Sequence, residues 1–198
     1  MMRTRLLLGV AMVAGIGLLS GGYASSADEQ GGLKGSVQKV ADALASDNAA
    51  EASKLAADIA KSGEIEEVMN LMKRRDQAKD KKKVFGVGET PGESKPDGIE
   101  ARVLNLKKTS KSQLDKDNAA LITMAYRIAA IAEIAKAKPP EKDEGNKKKV
   151  DWLKWAGSMG DSAKELATAA KNKSLPEFKA AADKLNSACS NCHSTFRD

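Results

Sequence analysis

Five residues near the C-terminus constrain this chain more than any other stretch: Cys189-Ser190-Asn191-Cys192-His193. They contain both cysteines and the single histidine of the 198 residues. C-x-x-C-H is the pattern in which two thiols form thioethers to a haem while the imidazole binds its iron. Spacings of three and four place all three side chains on one helical face. The motif therefore asks for a helix and for a packed layer that can cover a flat cofactor. One covalent haem c is the expected cofactor, with Cys189 and Cys192 as thioether residues and His193 as the proximal iron ligand.

Other chemistries fit less well. A redox dithiol wants a β-α-β setting, and no strand-rich pattern is present. Zinc prefers four ligands, and the second pair is missing. A structural disulfide, or two inert thiols, in a haem-free helical interaction protein remains as an alternative from another class; it predicts a colourless protein.

The N-terminus reads as a secretory signal peptide over 1–27. Arg3 and Arg5 form its positive region, Leu6 to Leu19 its apolar region, and Ser25-Ser26-Ala27 its cleavage site, with cleavage after Ala24 as the alternative. The apolar run is short for a bilayer span, so no lasting membrane anchor is expected. Export to the periplasm suits covalent haem attachment. Losing this segment lowers the formal net charge from +6 to +4, since it holds two arginines and no acid. Basic and acidic residues are interspersed, and aromatic residues make up 4% of the chain, so nucleic acid is not an expected partner.

Residues 28–198 read as a single all-α domain. Val37, Val40, Ala41 and Leu44 predict a helix over 34–46. Asn48 with Glu51 predicts the cap of a second, ended by Gly63. A third is expected to start at a Ser62 cap, bury Ile65, Val68, Met69 and Met72, and carry Lys73, Arg74 and Arg75 in its last turn, matching the helix dipole. Residues 79–98 hold Gly86, Gly88, Pro91, Gly92, Pro96 and Gly98 and read as a loop. Within it, Phe85 and Val87 are expected to pack on ordinary core, the haem edge being the alternative. Ile99, Val103 and Leu106 suggest a short helix. Asp117 is expected to cap a long helix over 118–137, apolar on more than one side, stopped by Pro139-Pro140. Trp152, Trp155, Ala156, Met159, Ala163 and Leu166 form one stripe of a helix over 150–171. Ser174 and Glu177 match a capping box for the last helix, whose stripe runs Phe178, Ala181, Ala182, Leu185, Cys189, Cys192 and Phe196. The cysteines thus continue a core face.

The tryptophan-bearing helix, the alanine-rich stretch to Ala170, the short turn and the ending Cys189-Ser190-Asn191-Cys192-His193-Ser194-Thr195-Phe196-Arg197 together resemble the class II c-type cytochromes, which include cytochrome c prime and its low-spin relatives. The resemblance covers about 117–198. It implies a four-helix bundle with C-x-x-C-H in the last helix, here with additional N-terminal helices and a Gly/Pro-rich loop. Bundles of this type often pair as homodimers. The resemblance places Arg197 near the proximal face or a propionate and Trp152 or Trp155 beside the haem, with dipole pairing and plain core packing as the respective alternatives. It also places the distal residue at about 64–76, where Met69 and Met72 are the candidate sixth ligands, ahead of Met124, Met159 or a lysine.

Function then turns on the sixth position. Methionine opposite histidine suits a carrier of single electrons between redox partner proteins. An open distal side suits binding of nitric oxide or carbon monoxide. Nothing suggests an enzyme, because there is no second histidine and the acids are scattered.

Overall fold

The computed structural model describes residues 32–92 and 94–197, so the expected signal peptide lies outside the described residues. Eight α-helices follow in order: α1 Leu33–Ala45, α2 Ala49–Ser62, α3 Ile65–Asn70, α4 Ile99–Val103, α5 Lys111–Lys116, α6 Asn118–Ala137, α7 Lys149–Lys171 and α8 Leu175–Phe196. Among the described residues there are also two short 3-10 turns, Lys81–Lys83 and Leu106–Lys108. Among the described residues there is no strand, only an isolated bridge between Glu144 and Lys147. The all-α expectation and the four long or central helix ranges hold.

α6 is the axis of the fold. Alanine and isoleucine occupy all its faces, and residues such as Leu121, Ile128, Ile131 and Ile134 are fully buried. A helix apolar all round belongs inside other helices. It is long and apolar enough to cross a membrane, but 72% of that stretch is covered by the rest of this molecule. α7 packs along α6, α8 packs along α7, and the α1–α2 pair closes on α6 from the other side. Small residues set the α6–α7 approach. A Cβ on Gly160 would stand 3.3 Å from that of Ala132, so a larger residue there would push the helices apart.

Four local expectations are corrected. α3 ends at Asn70, and Arg75 turns inward rather than serving a helix dipole. Ser62 closes α2 and does not cap α3. Asp117 makes no cap bond to α6; its carboxylate accepts from Arg102 Nη2 at 3.2 Å and Ser94 Oγ at 3.4 Å. A buried guanidinium needs a counter-charge more than a water-accessible helix N–H needs a cap. Ser174 likewise makes no side-chain cap bond, where Pro176 has already removed one N–H from the first turn. The Asn48 cap is present, accepting from Glu51 N at 3.2 Å. A capping box not anticipated joins Ser110 and Gln113 at the start of α5.

The loop of 79–98 is a strap held by two buried arginines. Arg75 donates from Nε to Asp97 Oδ2 (2.9 Å) and from Nη2 to Asp97 Oδ1 (3.0 Å). The same guanidinium reaches the carbonyls of Gly88, Glu89 and Thr90. Gly86 is required beside it, because a Cβ there would lie 1.9 Å from Arg75 Nη2. From α6, Arg127 donates to Gln38 Oε1 at 2.8 Å and Glu89 Oε1 at 2.6 Å, and stacks 4.7 Å from the Phe85 ring centroid. Phe85 and Val87 are buried in the main core, in line with the ordinary-core expectation.

Candidate functional site

α8 begins as a core helix and ends as the wall of a cavity. Phe178, Ala181, Ala182, Leu185 and Ala188 are buried against the other helices. The same stripe then runs out of helical partners, and Cys189, Cys192 and His193 are half-buried on a cavity of about 600 Å³. Such a volume lies within the usual range for a bound cofactor. The helical register therefore presents both thiols and the imidazole to one space, as the spacing requires. The cysteines are free.

The facing wall is built from the region between α3 and α4. Met69, Met72, Ile99 and Val103 line it, with Ile128 of α6 and Met159 of α7 at the back. Glu100 N donates to Met72 O at 3.0 Å, so α4 is pinned to the turn after α3. Met69 also packs against a small cluster of Ala135, Trp152 and Ala156, which Cys192 and Phe196 flank as well. Met124 is fully buried and does not line the cavity; Met159 does.

Trp152 lines the cavity while its Nε1–H donates to Ala135 O at 2.6 Å. Its ring meets Phe196 edge-on at 5.1 Å and 89°. Trp155 is not part of the cavity wall; it lies half-buried with Lys154 Nζ 4.5 Å from its ring centroid. The cause is rotational. The two residues are neighbours on the helix, yet only Trp152 faces the end of α8. Arg197 lies just past α8 at the cavity mouth, where its Nη1 stands 3.6 Å from Glu100 Oε1.

The site is chemically unfinished by itself. Burial, reinforced by Cys192 and Glu100, pushes the Cys189 thiol up from 9.0 to about 11. Burial pushes the Cys192 thiol up as well. Both are uncharged sulfhydryls in a mostly apolar cleft. Asn186, one turn before Cys189, also lines the cavity, and its buried Oδ1 has no hydrogen-bond partner. A buried orphan acceptor costs about 1–3 kcal/mol unless something bound supplies a donor. Two thiols, one imidazole, thioether side chains opposite and apolar flanks fit a haem. No group of three or more metal-ligating His, Cys, Asp or Glu side chains competes for this reading among the described residues.

Asn186, Glu100 and the α4 wall were not anticipated from the sequence. Asn186 was readable, being three residues before Cys189 on the same face. The α4 wall was not, since nothing local in Ile99–Val103 says which helix it will oppose.

A family model described as Cytochrome C' matches residues 97–197, from the end of the strap to the end of α8. No curated protein and no solved structure matches the chain. The match covers more than half of the sequence and contains the cavity's C-terminal wall together with its α4 wall. With one covalent haem c as that family's cofactor, the haem-free reading falls away, and this chain belongs to the Cytochrome C' family as a helical, haem-binding c-type cytochrome.

Proposed function

We propose that the protein is an exported, periplasmic mono-haem carrier of single electrons between redox partner proteins, and not an enzyme. The observation that carries this reading is the placement of Met69 and Met72 on the wall facing Cys189, Cys192 and His193. In this reading Cys189 and Cys192 hold the haem by thioethers, and His193 gives the proximal nitrogen. Met69 gives the distal sulfur, favoured over Met72 because it also packs against the Trp152 cluster that Cys192 and Phe196 flank. The haem supplies the one-electron chemistry when bound. The chain's own contribution is ligand choice, exclusion of water by Ile99, Val103 and Ile128, and a site rigid enough that little reorganises between redox states. Methionine opposite histidine raises the potential.

A second reading has its own support. Ile99, Val103, Ile128 and Met159 make the cavity wall largely apolar, which suits an open distal side that admits nitric oxide or carbon monoxide. The two readings separate in one optical experiment on protein made in a host with c-type haem maturation. Electron transfer predicts a six-coordinate low-spin spectrum, a methionine-to-iron charge-transfer band, and no response to carbon monoxide. Met69→Ala then loses that band and gains the response, while Met72→Ala leaves both unchanged. A high-spin wild-type spectrum that shifts on carbon monoxide overturns the carrier reading in favour of gas binding. Export rests on Arg3, Arg5 and the apolar run Leu6 to Leu19. N-terminal sequencing of the secreted protein should begin at Asp28.

A further inference from the structure

Beside the haem cavity lies a second, more open groove of about 740 Å³, and the two share Asn70, Lys73, Glu100 and Leu104 as wall. Four cations line this groove: Lys73, Arg74, Lys79 and Lys83. Arg74 is paired with Asp76. The three lysines form no ion pair among the described residues. Two acids also line the groove, Asp80, which accepts from Lys82 N, and Glu100, which faces Arg197, so cations outnumber acids on its wall by four to two. The result is a surplus of positive charge on one rim of the haem site. Leu104, on the boundary between groove and cavity, is 66% exposed, the most exposed large aliphatic side chain of this wall.

This rim is held in place from below. Phe85 N donates to Leu71 O at 2.8 Å, and Arg75 N donates to Asp97 O at 2.7 Å, so the backbone is tied down on both sides of Lys73. Exposed cations around an exposed apolar residue are what an encounter surface needs. The charges steer an oppositely charged partner, and the apolar centre gives a dry contact once it arrives.

We infer that this groove is the docking face for an acidic redox partner protein, seated with carboxylates against Lys73, Lys79 and Lys83 and an apolar residue against Leu104. The inference rests on the carrier reading and gives it a direction: electrons cross at the α3–α4 side of the haem cavity, not at the exposed faces of α2 or the N-terminal part of α8.

The test uses haem-loaded full-length protein and an acidic flavodoxin as probe. Lys79→Glu with Lys83→Glu is the test variant, because neither residue lines the haem cavity; Lys39→Glu with Lys54→Glu makes the same charge change on α1 and α2. Oxidised flavodoxin is first titrated calorimetrically into oxidised cytochrome, where no electron moves. At about 10 mM salt, where charges act over about 30 Å, the test variant should bind at least about tenfold more weakly than wild type. The control should change by less than about twofold. Equal loss in both variants would reduce the effect to net charge and overturn the inference, as would no loss in either.

Stopped-flow mixing then separates this from the carrier reading. One electron passes from flavodoxin hydroquinone, which becomes the semiquinone, to the oxidised cytochrome, which is reduced. A neutral quinol as reductant reports on the haem without docking. Fast reduction by the quinol with unaltered flavodoxin binding in the test variant sinks the docking face and leaves the carrier intact. An anionic lipid surface is the competing occupant. If the test variant loses binding to phosphatidylglycerol vesicles and keeps its affinity for flavodoxin, the groove is a membrane face and the inference is wrong.

Discussion

The strap and the haem cavity bury polar groups in opposite ways. Around Arg75 every charge is answered within the chain, by Asp97 and by three carbonyls of the strap itself. Around Cys189 one buried acceptor, Asn186 Oδ1, is left without a partner, and burial holds the thiols uncharged. The first is a closed structural network, and its cost of desolvation is met inside the fold. The second is a network with a missing member. An unmet atom alone does not mark a cofactor, since Arg102 Nε beside the strap is also unpartnered; at Asn186 the orphan lies on a cavity shared with Cys189, Cys192 and His193.

The sharpest way to break this contrast is to remove the covalent link. Cys189→Ser with Cys192→Ser should leave no haem on the denatured chain after acid-acetone extraction, against full retention in the parent protein. Retention in the double variant would mean that the cavity does not attach its cofactor through these residues. Next in size is the strap. Arg75→Ala strands Asp97 in the interior and should cost about 3–5 kcal/mol in urea unfolding. The haem spectrum of the remaining folded protein should be unaltered, since Arg75 does not line the cavity.

Asn186→Leu runs the comparison the other way. Replacing an orphaned amide by an apolar side chain of similar size should stabilise haem-free protein by about 1 kcal/mol. The gain should shrink in haem-loaded protein if the amide turns so that its Nδ2–H donates to a haem propionate. An equal gain in both forms would mean that Asn186 has no role towards the cofactor.

The smallest effects lie in pH dependence, with opposite signs at the two sites. Burial by itself would raise Asp97, but hydrogen bonds from Arg75 and the N–H groups of Gly92 and Val87 outweigh it and hold the carboxyl below its ordinary 3.8. Its contribution is therefore present above pH 3.8 and is lost as pH falls through the lower folded value. Cys189 is raised, so the unfolded chain releases its proton first, and haem-free protein should lose stability as pH rises between 9.0 and about 11. In haem-loaded protein the sulfur is a thioether and this alkaline limb should vanish. Denaturant titrations at pH 8 and pH 10.5 on both forms measure it.

Much of this was legible in the residues. The ranges of α1, α6, α7 and α8 follow from apolar periodicity and from Gly and Pro punctuation, which act within a few residues of where they are read. The facing of Cys189, Cys192 and His193 is equally local, being a property of helical register. What failed was also local in form. Asp117 and Ser174 look like caps, and Lys73 to Arg75 look like a dipole-matched helix end. Two of these were overridden by a distant demand, Arg102 taking Asp117 and Asp97 with the strap carbonyls taking Arg75, while Ser174 stands beside Pro176, which has no N–H to offer. Caps and dipoles are worth about 1 kcal/mol, while leaving a buried guanidinium unpaired costs several, so the tertiary contact decides.

The sequence by itself determined that this chain is helical, that its last helix continues a core stripe into C-x-x-C-H, and that a haem is the group such a stripe would meet. It did so because register and ligand spacing are properties of a single helix. Only the tertiary structure decided what stands across from that helix. The pairing of α8 with Met69, Met72 and α4 joins residues about 90 to 120 positions apart, and it is set by which side chains were left to fill the space after α6, α7 and the arginine-held strap had packed.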